Sequence, residues 1–416
     1  MNYEVIIIGS GPSGSIASMY LGKKLGKEKV LIVDKATFPR DKICGDAQGR
    51  KAARILNELG IYEEYTKLPG QPIYGLTLSS PNGTQINLDV EARDKPAPGY
   101  THKRKVLDNF LHENAAKMAT FKQFTVTDVI IEDKTVKGII GEDEHGKKEE
   151  IRAKIVLAAD GANSTIAQKF GLNKNPPEDF IVATRQYYKG VAGLTDRIEI
   201  HMVKNLIPGY FWIFPMGNGE ANVGLGMIVK DMNSKKVNLR EATLKEIKEN
   251  PLFKDRFKNA TPLEDVKGWN LPVASHHRKC YGNGILFLGD AASLIDPLSG
   301  EGIGNAMISA RTAAEVVIEA LQKQDFSEKF LQKYDKMLWD IIGNEIKTST
   351  KVQKLGKMFP FMIDKLLVKA SKDEKFRKKV EAKLPYTAGR EEIGSASFLM
   401  ELAPEEEEVH KASKEL

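Results

Sequence analysis

The sequence contains only two cysteines in 416 residues, Cys44 and Cys280. So few exclude a disulfide framework and suit a reducing compartment. Long apolar runs are also missing, and no stretch approaches the roughly 20 residues that cross a bilayer. The opening MNYEVIIIG has no basic segment followed by an apolar one, so no signal peptide is expected. Nor does one sign of charge dominate: 62 Lys+Arg face 56 Asp+Glu, a net charge of +6 that argues for no nucleic-acid partner. No repeat recurs at solenoid or propeller periods. These absences predict a cytoplasmic protein, free or peripheral on the inner face of the membrane. What is present is ordinary for a globular chain, 41% apolar and 28% charged. Its length suits two or three domains, or one domain with insertions.

Residues 3–8 form a continuous apolar run, as expected of a strand buried on both faces. A glycine turn, a helix to about residue 24 and the short strand 30–33 complete a βαβ opening. Residues 51–68 read as a helix, 71–90 as hairpins, 103–119 as a helix and 124–155 as short strands with a tight turn near 142–146. Residues 180–229 alternate with period 2 and predict a β-rich insertion. The strand in GILFLGDAA and a helix over 302–322 return to the first pattern, and the remainder reads as helical up to a solvated acidic tail at 405–408. The expected class is α/β (α+β overall), in three parts. A discontinuous dinucleotide domain takes 1–75, 100–178 and 280–325. A β-rich substrate domain takes 76–99 and 179–279, and a helical C-terminal region takes 326–416.

Gly9-x-Gly11-x-x-Gly14 follows the buried strand and opens a helix, with Ser13 inside the turn and Asp34 lying 20 residues beyond Gly14. Such glycines allow a tight turn, close approach of a pyrophosphate, and close helix–strand packing. The helix N-terminus supplies unpaired N–H groups, and Asp34 an acceptor for a ribose hydroxyl. This motif admits NAD or FAD. Two later segments favour FAD: LAADGANS, in which a strand ends at Asp160-Gly161, and LGDAASLIDPLSGEGIGNA, carrying Asp290 and the helix start at Gly302-Ile303. Backbone N–H groups at that start suit the N1–O2 edge of a flavin.

In order and kind these three segments resemble the FAD motifs of the flavoprotein group that includes para-hydroxybenzoate hydroxylase. The resemblance spans residues 1 to about 325. Within that group FPRDKICGD resembles the P-x-x-K-x-C-G-(D or G) loop of geranylgeranyl and related prenyl reductases, matched by Pro39, Lys42, Cys44, Gly45 and Asp46. IPGYFWIFP resembles their P-x-x-Y-x-W-x-F-P segment through Tyr210, Trp212, Phe214 and Pro215, although Pro208 stands two residues before Tyr210 rather than three. The resemblance implies FAD contacts at Gly9, Gly11, Ser13, Gly14, Asp34, Cys44, Gly45, Arg104, Val126, Asp160, Asp290, Gly302 and Ile303. It places the Cys44 loop beside the isoalloxazine.

In YFWIFP, strand alternation sends Tyr210, Trp212 and Phe214 to one face and Phe211 and Ile213 to the other. One face is ordinary sheet core or the wall of an apolar substrate site, where each buried methylene is worth about 0.8 kcal/mol. Cys44 is expected as an active-site thiol, with Lys42 and Arg40 near enough to lower its pKa; Tyr210 is a second catalytic candidate. Cys280 reads as structural, and no metal is expected. The implied activity is reduction of isolated C=C bonds in a prenyl chain. With no second GxGxxG, electrons would come from an external donor, NAD(P)H or ferredoxin. Residues 347–379 carry eleven Lys/Arg against three Asp/Glu around Met358 to Met362, either ordinary solvated helices or a surface for anionic lipid. Alternative classes are an FAD-dependent aromatic monooxygenase or halogenase, the latter carrying Trp where this chain has Tyr210, and a flavoprotein electron carrier without turnover.

Overall fold

A computed structural model describes residues 2–383, apart from residue 173. The acidic tail expected at 405–408 lies outside the described residues. The strand Asn2–Ile8 runs parallel between Val30–Asp34 and the end of Lys148–Ala158, and Val5, Ile6 and Ile7 are fully buried. Its unbroken apolar run is what a central parallel strand needs, since both faces are covered. Helices Pro12–Leu25, Arg104–Met118 and Ile303–Lys323 pack together against this sheet. The strands expected to be short over 124–155 are instead long: Thr120–Glu132, Thr135–Asp143 and Lys148–Ala158. Each outer strand joins the parallel sheet at one end and pairs with Thr135–Asp143 along the rest.

A second, eight-stranded sheet comes from Gly75–Ser79, Gln85–Asp89 and the segments between Phe180 and Pro272. Tyr210–Gly217 and Glu220–Ile228 form a hairpin, and Phe180–Lys189 pairs antiparallel beside it. Phe211 and Ile213 enter one core under this sheet, while Trp212 and Phe214 enter another on the opposite face, following the predicted alternation. The β-rich insertion also holds two unforeseen helices, Val229–Lys235 and Leu239–Glu249. The second starts at Asn238, whose side chain accepts from the Arg240 and Glu241 N–H groups. The single helix expected over 51–68 is two, Arg50–Leu59 and Tyr62–Thr66, because Gly60 turns left-handed at φ +78° and caps the first.

The long helix Glu328–Met358 packs on Ile303–Lys323, and Phe361–Lys372 and Glu374–Lys383 close over the edge strand Gln85–Asp89. No helix among the described residues is long and apolar enough to cross a membrane.

Candidate active site

The glycine turn has the geometry a dinucleotide requires. Gly9 stands at φ +98°, and a Cβ there would overlap the Ala159 carbonyl. A Cβ on Gly14 would overlap the Gly9 carbonyl, so the helix lies directly on the turn. At Gly11 the only atom within 4 Å of such a Cβ would be the Arg40 guanidinium at 3.4 Å, so a flexible cationic side chain, and no backbone, stands against the start of Pro12–Leu25. No side chain caps that helix, so its first N–H groups are left for a ligand. The Asp34 carboxylate accepts from the Ser10 N–H (2.7 Å) and the Ala36 N–H (2.8 Å), tying the turn to the end of the second strand. Ser13 is buried inside the turn.

Beside this turn, Arg104 grips Asp108 with two contacts of 2.6 and 2.7 Å, and Arg40 reaches the same carboxylate at 2.7 Å. Burial disfavours charge on Asp108, but the two arginines outweigh it and hold the carboxyl below its ordinary range. Two guanidiniums on one carboxylate leave a net positive charge next to Gly11, where a pyrophosphate would lie. Val126 sits in Thr120–Glu132 just before a bulge. Asp160 keeps one buried oxygen unpartnered among the described residues, and burial raises its pKa. Asp290 opens a short turn and pairs with Lys42 at 2.9 Å.

At the far end Gly302 and Ile303 begin a 21-residue helix that no side chain caps. Asp296 orders the preceding loop by accepting from the Leu298 N–H, the Ser299 N–H and the Ser299 hydroxyl at 2.8–3.0 Å. The Tyr210 hydroxyl donates to the Ser299 carbonyl (2.8 Å), and burial raises its pKa. A glycine turn approached at Gly11 by the Arg40 guanidinium alone, an uncapped 21-residue helix and an orphaned Asp160 oxygen together fit FAD.

The second sheet turns a built face toward this cleft. Strand register sets three rows across it: Ala183, Gly226 and Tyr210; Arg185, Gly224 and Trp212; Tyr187, Asn222 and Phe214. The middle strand contributes small residues to two rows, and Trp212 lies across Gly224, where a Cβ would overlap the indole. The Cys44 loop rests on this face. A Cβ on Gly45 would stand 3.2 Å from the Phe214 ring and 4.0 Å from the Trp212 Nε1. Asn222 joins the pieces: its Oδ1 accepts from the Trp212 indole N–H (2.9 Å), and its Nδ2 donates to the Cys44 carbonyl (2.8 Å) and to Asp46 (2.9 Å).

Cys44 departs from expectation. Burial pushes its thiol above the ordinary value; Arg104 and Lys42 pull the other way and lose, while Asp46 adds to the rise. Arg40 is spent on Asp108. Cys44 is therefore a neutral thiol rather than an activated thiolate. Cys280 is fully buried, as expected, and donates to Asp335 at 3.2 Å.

Sequence reasoning missed the polar layer beneath the loop. Asp46 is fully buried and accepts from the Tyr187 hydroxyl; Tyr187 accepts from Arg185, whose guanidinium pairs with Asp41 and Glu264. His102 and Gln48 hold the loop from the other side: Gln48 donates to the Asp46 carbonyl (2.5 Å) and pairs with His102 Nδ1 (2.8 Å). An arginine and a tyrosine two apart in an alternating strand, Arg185 and Tyr187, were the available signal.

This combination of a dinucleotide turn, a first sheet whose strands are separated in the chain by an insertion, and a second sheet over the cleft defines an FAD-binding flavoprotein, and the FAD binding domain family matches residues 2–339. The chain belongs to that family and, within it, to the digeranylgeranylglycerophospholipid reductase family. It is 33% identical over 342 residues to digeranylgeranylglycerophospholipid reductase 1 of Methanopyrus kandleri, covering 80% of this chain and 85% of that one. It is 35% identical over 338 residues to the digeranylgeranylglycerophospholipid reductase of Methanocaldococcus jannaschii, covering 80% and 81%. The solved structure of a geranylgeranyl bacteriochlorophyll reductase-like protein from Thermoplasma acidophilum superposes with a TM-score of 0.81 at 26% identity, over 95% of this chain and 99% of that one. The flavin-dependent brominase Bmp2, at 23% identity and a TM-score of 0.72, shares the fold.

Proposed function

We propose that this chain is an FAD-dependent reductase of isolated C=C bonds in the prenyl chains of a lipid. The observation that carries it is the seat of the Cys44 loop on the Trp212 and Phe214 face, against the cofactor cleft. The relatives' names support the same substrate class.

When bound and reduced, FAD supplies a hydride equivalent to one alkene carbon. The chain's residues supply the rest. The uncapped helices at Pro12 and Ile303 and the Arg104–Asp108–Arg40 centre bind and orient the cofactor. Tyr210, Trp212 and Phe214 hold an apolar chain and exclude water. An unactivated alkene has no carbonyl to polarise, so positioning and a supplied proton must carry the rate. Cys44 holds that proton, because a raised thiol pKa keeps it protonated at neutral pH. Tyr210 serves by position, its hydroxyl being committed to Ser299.

Electrons enter from an external donor, NAD(P)H or ferredoxin, that docks transiently. Phe361 is exposed beside Lys204, Lys235 and Lys357, in a hollow that also holds Asp364 and Asp231, the latter paired with Lys357, and with the exposed Met358 and Phe359 it forms a surface for anionic lipid. Mass spectrometry of geranylgeranyl lipid incubated with the anaerobically reduced chain tests the assignment. The expected product gains two hydrogens per reduced bond; an oxygenated or unchanged lipid contradicts it.

A further inference from the structure

The Cys44 loop is held from two sides, and its residues alternate between them. Arg40 and Lys42 reach the first sheet's side: Arg40 pairs with Asp108 at 2.7 Å, and Lys42 Nζ meets Asp290 Oδ2 at 2.9 Å. Asp41 and Cys44 reach the second sheet, Asp41 through Arg185 (2.8 Å) and the Cys44 carbonyl through Asn222 (2.8 Å). The Arg40 tie lies at the glycine turn, since its guanidinium would stand 3.4 Å from a Cβ on Gly11. The Lys42 tie lies at the other end of the cleft, where a Cβ on Gly302 would stand 3.5 Å from Asp290 Oδ1. Gly302 opens the uncapped helix Ile303–Lys323. The loop therefore bridges the pyrophosphate end of the cleft and its flavin end.

We propose that Lys42 is a positioning residue whose pairing with Asp290 latches this loop over bound FAD. One Asp290 oxygen meets Lys42 and the other lies toward Gly302, so a single carboxylate joins the loop to the helix start. FAD leaves the cleft only after that pair opens. Lys42 stands two residues before Cys44, so the latch also holds the thiol in place. The inference rests on FAD binding, which the family match shows, and not on alkene reduction.

Among these ties, the one to Asp290 is the one able to open. Arg40 grips a carboxylate with no exposed surface, which Arg104 holds as well. Arg185 is fully buried and meets Asp41 twice, at 2.8 and 3.4 Å. Asn222 is fully buried, and its amide also holds Trp212 and Asp46. Lys42 and Asp290 keep 21% and 14% of their side-chain surface and meet through one contact. A lysine ammonium is a point charge on a flexible stem, so it swings away without breaking a second bond. Partial exposure also lets salt screen the pair.

Release of FAD from the diluted full-length holoprotein, followed by flavin fluorescence, tests the latch without turnover. Lys42→Met is expected to speed release about fivefold, the upper range for a partly exposed ion pair. Lys42→Arg keeps the charge and is expected to restore most of the wild-type rate. Raising salt from about 0.05 to 0.5 M is expected to speed wild-type release, and to affect Lys42→Met less. Asp290→Asn is expected to release FAD faster by itself, and adding Lys42→Met to it changes nothing further. An unchanged rate in Lys42→Met, equal salt slopes, or additive effects of the two substitutions overturns the latch. If these release effects appear while prenyl lipid is left untouched, the reductase function fails and the latch stands. If the lipid is reduced and none of them appears, the latch alone fails.

Discussion

The indole N–H of Trp212 donates to the side-chain oxygen of Asn222 at 2.9 Å, across adjacent strands of one hairpin. The same Asn222 holds the Cys44 carbonyl and the Asp46 carboxyl. One neutral amide therefore fixes the aromatic wall and the thiol loop together. Asn222→Ala leaves the buried indole N–H and the Cys44 carbonyl without this partner. The expected loss is about 1–3 kcal/mol of stability, read by denaturant unfolding, with a slower reduction step at unchanged flavin content. Asn222→Ala that unfolds like wild type contradicts the link.

Trp212 depends on the empty space at Gly224. Gly224→Ala pushes a methyl group into both the Thr184 backbone carbonyl and the indole, straining the strand pairing and forcing the ring off its row. Overpacking of this kind costs about 1–3 kcal/mol. Because the displaced ring walls the proposed substrate site, KM for prenyl lipid is expected to rise with little change in flavin affinity. Flavin titration and steady-state kinetics separate the two effects.

Arg104 is buried on Asp108, and its removal leaves a buried carboxylate with Arg40 alone. Arg104→Met is expected to cost roughly 3–5 kcal/mol, as for a broken buried pair, and to weaken FAD binding. Arg104→Lys keeps the charge but loses the two-pronged grip, so it recovers only part of the affinity. Flavin occupancy after purification checks both.

His102 sets an acid limit on stability. Burial lowers its pKa to about 4, and with Nδ1–H donating to Gln48 the buried Nε2 has no partner among the described residues. The unfolded chain binds this proton near 6.5, so stability falls as pH drops from about 6.5 toward 4. The sum of that loss is about 3 kcal/mol for this shift. His102→Asn, which keeps a donor near the Nδ1 position, is expected to flatten that part of the profile in thermal melts between pH 4 and 7. An unchanged slope contradicts the assignment.

Much of this was legible in the chain. Period-2 alternation in YFWIFP assigned its two faces, and the unbroken run before Gly9 gave the central strand. The network under the loop was not legible because its partners are far apart in sequence: Tyr187 reaches Asp46 across 141 residues and Asn222 across 176. Only the strand register brings them onto one face. The direction of the Cys44 shift was misread for a similar reason. Neighbouring charges are visible in FPRDKICGD, but burial and the competing partners Asp108 and Asp290 are not.

The exposed trio Met358, Phe359 and Phe361 predicts salt-sensitive binding to anionic vesicles. Phe361→Ser with Phe359→Ser is expected to reduce co-sedimentation severalfold, with turnover of short, soluble prenyl alcohols preserved. Equal sedimentation with neutral vesicles contradicts the electrostatic part.

The central claim is that reduced flavin and an isolated alkene meet in one apolar site. Anaerobic stopped-flow mixing of the reduced chain with geranylgeranyl lipid tests it most directly. Flavin absorbance should return at a rate that rises with alkene concentration and is absent with the fully saturated lipid. Reoxidation that ignores the alkene, or that occurs only when oxygen is admitted, contradicts the account.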